Sequence, residues 1–241
     1  IPTPAQSDPL PLHAALPISS RSVDMAGALT PTKARHYPAL PSVRFPEFLS
    51  RLSAYRGRLL TRCAVELMLL TFVRSSELRF ARWREFDFDS AEWRIPAQRE
   101  EIEGVRYSYR GMKMKEEHVV PLSNQALAVL EKLRALSGDN PRLFPSDHNP
   151  EKVMSENTVN SALRTRGYDT KTEVCGHGFR TMARGALGES GLWSDDAIER
   201  QLSHSERNNV RAAYIHTSEY LDERRLMVQW WADYLDANRE R

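Results

Sequence analysis

The feature that most constrains this chain is the run from Arg58 to Val73, RLLTRCAVELMLLTFV, which is apolar nearly all round and interrupted only by Arg62, Glu66 and isolated polar groups. A helix with no polar face must be surrounded by other elements, so this run predicts a central core helix around which the domain is built. It is too short and too charged to cross a bilayer. Before it, Phe48, Leu49, Leu52 and Tyr55 recur at helical spacing after Pro46, a residue suited to a first turn. After it, Ser75 or Ser76 is a plausible N-cap for a short helix through Ala81.

The period then changes. Trp93 to Pro96 reads as a strand and Glu117 to Pro121, with Val119 and Val120, as another. Between them lies the charged stretch Arg99 to Gly111, with a possible strand at Val105–Tyr109. This predicts a small antiparallel sheet with a long exposed hairpin. Helices return at Ser123–Leu136, where Leu127, Leu130, Leu133 and Leu136 are expected on one face and Gly138 ends the run. Further helices are expected at 155–164, 177–189, 195–202, 209–216 and 219–235. The fold class is therefore α+β, mainly helical. Residues 1–42 hold eight of the fourteen prolines with no sustained period and read as an extended or disordered tail and linker. The start, without Met, suggests a truncated or spliced reading frame.

Composition excludes little. A formal charge of +2 permits nucleic-acid binding without announcing it. Two cysteines, Cys63 and Cys175, cannot make a disulfide framework, and a cytoplasmic setting follows. The opening residues lack the charged region and apolar core of a secretory signal.

Three segments place polar groups where the hydrophobic pattern predicts something plainer. In VRSSEL, Arg74 follows the buried helix directly, and Glu77 is near enough to orient it; an ion pair at a helix junction is the plain alternative. In GHGFR, His177 and Arg180 are three apart on one helical face at a helix start, which suits a phosphate, and the flanking glycines allow close approach of backbone or substrate. Cys175 with His177 has no second cluster of metal-ligand spacing to complete a zinc site. In LSHSERNNVRAAY, His204 and Tyr214 lie ten apart across a turn. A tyrosine in a helical pattern is ordinarily core, and Tyr220 is a further candidate nucleophile.

Taken together, these segments resemble the tyrosine recombinases, the phage integrase family. The resemblance lies in an Arg at a helix junction followed by Glu, a hairpin Lys, HxxR, LxH and a late Tyr, in that order: Arg74 with Glu77, Lys113 in GMKMKEEHVVPLS, His177 and Arg180 in HGFR, His204 in LSH, and Tyr214 in AAYIH. The wording LLTFVRSSELRFARWREFDFD, the MKMK run before VVPLS, and ERRLMVQWWADYLD are similar to prophage and genomic-island integrases. It covers roughly residues 33 to 236.

The resemblance implies a catalytic domain over 43–241, without arm-binding and core-binding domains ahead of it. It implies strand cleavage and rejoining with no metal or other cofactor. Arg74 and Arg180 would meet the extra negative charge of a pentavalent phosphorus state. Tyr214 would form a 3′-phosphotyrosyl link that conserves bond energy. Lys113 would protonate the 5′-oxygen, with Lys115 as its alternate, because residues two apart share a strand face. His177 would assist proton transfer at Tyr214, and His204 would hydrogen-bond the phosphate. Partners would be double-stranded DNA attachment sites and further protomers, monomeric in solution and tetrameric on synapsed DNA. The stretch REEIEGVRYSYRG adds Arg99, Arg106 and Arg110 as candidate DNA contacts, with Lys115 beyond it as another, or else forms a solvated hairpin tip. A type IB topoisomerase and a non-catalytic DNA-binding remnant are the alternative functions.

Overall fold

The computed structural model describes residues 37–112, 116–204 and 220–239. Helix α1 (Phe45–Ser53) starts with Pro46 in its first turn and buries Phe45, Phe48 and Leu49. Helix α2 (Leu59–Thr71) is the expected core element: Cys63, Ala64, Val65, Leu67, Met68, Leu69, Leu70 and Thr71 are all buried. It packs against α4 (Asn124–Ser137), α5 (Thr158–Thr165) and the C-terminal helix α8 (Leu221–Arg239). A fully buried Leu side chain contributes about 1.5–3 kcal/mol, so the burial of Leu67, Leu69 and Leu70 makes α2 a substantial source of cohesion. Trp231 of α8 is fully buried and donates its indole N–H to the Leu69 carbonyl at 2.9 Å, tying the end of the chain to α2.

Helix α2 ends at Phe72, which takes a left-handed conformation (φ 41°) as the C-cap. Helix α3 (Ser75–Arg79) follows two residues later. Its N-cap is Arg74, not Ser75 or Ser76, because Glu77 reaches back to accept the Arg74 amide at 2.8 Å, one half of a capping box.

The sheet is three-stranded and antiparallel, in the order β1 (Phe86–Asp87), β2 (Glu92–Ile95), β3 (His118–Pro121). Trp93 sits opposite both Phe86 and Val120. Strand β1 was not foreseen; two residues carry no periodicity, and its place is set by the Phe86 ring stacked on Trp93 at 5.0 Å. The expected strand at Val105–Tyr109 does not form. Ile102 and Val105, three apart, turn inward onto Phe80 and Val153 in a small satellite cluster, and the buried Ser108 hydroxyl accepts the Ile102 amide. Spacing of three suits a turn, whereas a strand needs two.

In α4 the buried residues are Ala126, Val129, Leu130 and Leu133, while Leu136 is 44% exposed. Leucines spaced strictly by three drift about 60° per step around a helix, so the expected four-leucine face is replaced by the i, i+3, i+4, i+7 stripe. Ser123 caps the helix by accepting the Ala126 amide, and Gly138 (φ 55°) ends it.

Helices α6 (Gly178–Ser190) and α7 (Asp195–Gln201) complete the body. The expected linker through residue 42 is shorter than the sequence suggests: Leu40 is buried in the core, and the Pro38 carbonyl accepts the Cys175 amide at 3.2 Å. An extended proline segment can be structural when its carbonyls find partners. The tail before residue 37 and the helix expected at 209–216 lie outside the described residues. Among the described residues no helix is long and apolar enough to cross a membrane.

Candidate active site

The site gathers where the C-terminal end of α2, the start of α6 and the turn after α7 meet. Arg180, in the first turn of α6, is buried at 5% exposure. Its Nη1 donates to the Phe72 carbonyl at 2.9 Å; Nη2 donates to the Leu202 carbonyl at 2.5 Å and lies 3.1 Å from His204 Nε2. The left-handed turn at Phe72 ends α2 beside Arg180 and so supplies one of these acceptors. Burial, with Arg74 as the next cause, brings the Arg180 guanidinium down to about 10, which leaves it charged near neutrality.

Arg74 lies beside it. Its Nη1 donates to Glu77 Oε1 at 2.8 Å and to the Ser203 hydroxyl at 2.7 Å, and its Nη2 donates to the Ser203 carbonyl at 2.9 Å. Glu77 is 2% exposed, so it serves Arg74 from within the core. Among the described residues these bonds leave Nε–H and one Nη2–H of Arg74 without an acceptor, an edge suited to a bidentate anion.

His204 follows Ser203 and is half exposed. Because a guanidinium has only donors, its Nε2 must accept from Arg180, and Nδ1–H then donates to Glu199 Oε2 at 2.6 Å. Partial burial pushes the Glu199 carboxyl up, but the bonds from His204 and Arg184 outweigh it and hold it below its ordinary value. Glu199 thus fixes one tautomer and one orientation of the ring.

Of the residues expected from sequence, Arg74 with Glu77 and Arg180 with His204 form two hydrogen-bonded sets brought together by the consecutive residues Leu202, Ser203 and His204. His177 is the N-cap of the same helix as Arg180, with its ring 4.0 Å from that of Tyr37. The glycines around it do admit a close approach, but of the chain itself: a Cβ at Gly178 would collide with the Pro38 carbonyl, and one at Gly176 would lie 2.9 Å from Val159. Lys113, Lys115 and Tyr214 lie outside the described residues.

The hairpin arginines divide. Arg99 is corrected from a candidate DNA contact to a buried anchor. Its side chain is 1% exposed and makes two bonds of 2.7 Å to Glu85, which also accepts the Trp93 indole N–H at 2.9 Å. A guanidinium so paired presents nothing outward. Arg106 is exposed, and Arg110 is exposed with its guanidinium 3.9 Å from the Tyr107 ring centroid.

Sequence reasoning missed Glu199, Ser203 and the carbonyls of Phe72 and Leu202. Glu199 stands five residues before His204 and could have been noticed; a carbonyl acceptor has no signature in a sequence. Among the described residues no three His, Cys, Asp or Glu side chains converge as a metal site would require.

Two clustered guanidiniums with an oriented imidazole, on a helical body with a small antiparallel sheet, define the catalytic-domain class of the tyrosine recombinases. The chain belongs to the phage integrase family, whose model matches residues 46–220. It is 80% identical over 223 residues to the integrase of Enterobacteria phage P4, covering 92% of this chain and 51% of that protein. It is 38% identical over 216 residues to prophage integrase IntA of Escherichia coli, covering 90% and 48%. The chain thus spans about half the length of the curated relatives it matches. In fold it is similar to a lambda integrase tetramer bound to a Holliday junction, with a TM-score of 0.53 at 14% identity over 76% of this chain and 51% of that one.

Proposed function

We propose that this chain cuts and rejoins DNA in site-specific recombination of a mobile element. The observation that carries this reading is the pairing of Arg74 and Arg180 in one cluster. Two adjacent like charges are costly unless an anion is meant to join them, and three of their acceptors are backbone carbonyls that leave the charge uncancelled. The Tyr214 phenol oxygen attacks phosphorus and gives up its proton, the 5′-oxygen leaves with a proton from Lys113 or Lys115, and the 3′-phosphotyrosyl bond stores the energy for rejoining. The two guanidiniums stabilise the pentavalent state, supplying the fixed positive charge without a metal. His204 hydrogen-bonds a phosphate oxygen, and His177 assists the proton of Tyr214. Exposed Arg106 and Arg110 contact the DNA backbone.

The partners are double-stranded attachment sites, with four protomers on synapsed DNA, as in the lambda assembly, and monomers in solution in the cytoplasm. Residues 43–241 act as the catalytic domain. Relatives bearing the name integrase favour recombination over topoisomerase-like relaxation or a non-catalytic remnant.

The test is incubation with nicked duplex DNA. The expected result is an SDS-resistant protein–DNA adduct that survives EDTA and is lost in Tyr214→Phe. An adduct that persists in Tyr214→Phe, or that EDTA abolishes, would overturn the mechanism.

A further inference from the structure

We propose that Ser203 is a positioning residue for this chemistry, one that locks the Arg74 guanidinium and links it to Met112; the role in cleavage rests on the recombinase reading above. Ser203 sits in the left-handed region, with φ 54°. An L side chain is disfavoured there, whereas glycine would take the same backbone without penalty. Such an outlier is informative when the side chain does something glycine could not.

Ser203 meets that condition. The left-handed turn aims two of its oxygens at one guanidinium: the hydroxyl 2.7 Å from Nη1 and the carbonyl 2.9 Å from Nη2 of Arg74. With Glu77 holding Nη1 from the other side at 2.8 Å, the fork is fixed about its own axis. Without the hydroxyl, one of the two Nη1 hydrogens would lose its acceptor. With both Nη1 hydrogens taken, an incoming phosphate meets only the Nε and second Nη2 hydrogens.

The same hydroxyl has a second partner. It accepts from Arg74, which has no lone pair to offer, so its own hydrogen points elsewhere, and the Met112 sulfur lies 3.4 Å away. Met112 is itself anchored, buried at 6% exposure with its amide donating to the Pro96 carbonyl at 2.8 Å. Met112 directly precedes Lys113. One buried hydroxyl therefore touches both the cation that would meet the phosphate and the side chain of the residue just before Lys113 in sequence.

The experiment compares Ser203→Gly and Ser203→Ala with the parent in three measurements. These are thermal melting, affinity for nicked duplex DNA, and the rate of SDS-resistant adduct formation. Glycine removes both the hydroxyl and the backbone strain; alanine removes the hydroxyl and keeps the strain. The expected result is that the glycine variant melts no lower than the parent and the alanine variant melts lower. Both should form adduct at least about tenfold more slowly, with DNA affinity within about threefold. A rate loss that ignores the opposite stability changes is what a merely structural serine would not produce. A glycine variant that cleaves at the parent rate would overturn the proposal.

The Arg74 Nη resonances, assigned by their absence in Arg74→Lys, give a reading that needs no cleavage. They should exchange slowly in the parent and merge or broaden in Ser203→Gly; unchanged signals would overturn the proposal. A parent that forms no adduct at all would count against the recombinase reading, and the Nη signals would then decide the locking of Arg74 alone.

Discussion

His118 offers a measurement of the network behind the site. Its side chain is 2% exposed on β3, and its Nε2 lies 3.3 Å from the Gln201 carbonyl, which fits an Nε2–H donor. Arg224 of α8, with no exposed surface, binds the Gln201 side-chain oxygen through Nε and Nη2 at 2.9 and 2.8 Å and donates to the Val119 carbonyl. Burial first, then Arg224 and Arg200, and more weakly Arg74, push the imidazole well below its ordinary range against the opposing bond to the Gln201 carbonyl. The folded chain therefore keeps His118 neutral at a pH where the unfolded chain protonates it.

The sign follows from proton linkage. Below an unfolded value of about 6.5 the unfolded state binds a proton that the folded state does not, so stability is full above that pH and falls as pH drops. The limiting slope is about 1.4 kcal/mol per pH unit. Between about pH 7.5 and about pH 5.5 the loss is also about 1.4 kcal/mol, because most of it accrues below 6.5. Carboxylates begin to titrate in unfolded chains only near about pH 4–4.5 and contribute little in this window. Urea unfolding of the parent and of His118→Gln at the two pH values isolates the effect, since a uniform destabilisation of the variant cancels in the difference. The parent should lose about 1.4 kcal/mol more than the variant across the window. Equal losses, or a difference under about 0.5 kcal/mol, would refute the assignment of a buried neutral imidazole.

Three further substitutions probe the arginines. Arg99→Ala should lower stability to urea by about 3–5 kcal/mol, because it strands the buried Glu85 carboxylate, whereas Arg106→Ala on the exposed tip should change it by no more than about 0.5 kcal/mol. Arg180→Lys should fold but slow adduct formation on nicked DNA by roughly a hundredfold, because an ammonium cannot span the Phe72 and Leu202 carbonyls and still face a phosphate; a loss under about fivefold would argue against a direct role.

Much of this arrangement is legible in the sequence where a local pattern carries it. The predominantly apolar run of α2 has one physical solution, and Ser123 marks a helix start that the structure keeps. Arg74 with Glu77 is legible too, because the pair is local. What depends on distant partners is not. Arg99 reads as a DNA-facing charge until Glu85, fourteen residues earlier, is found beside it. Pro38 to Leu40 reads as linker because nothing in proline-rich sequence announces a carbonyl that will accept from Cys175. Val105 and Tyr109 have strand-forming side chains, but Ile102 and Val105 turn inward toward Phe80, and that pull decides the backbone.

The acceptors chosen by the two site arginines bear most directly on function. Arg74 has one carboxylate partner, Glu77, while Arg180 is held by the carbonyls of Phe72 and Leu202 and by an imidazole nitrogen. A carboxylate on each would have oriented both groups and cancelled both charges, leaving little attraction for a phosphodiester. Carbonyl dipoles orient a guanidinium as firmly while leaving its charge intact, at the cost of desolvation that brings Arg180 down to about 10. At neutral pH that still leaves it about a thousandfold in favour of the charged form. The left-handed turns at Phe72 and Ser203 belong to the same solution, since each brings a carbonyl to a guanidinium at the end of a helix. Backbone strain at two positions thus supports a site with surplus positive charge in place before any DNA arrives, which is the form of preorganisation that a charged transition state rewards.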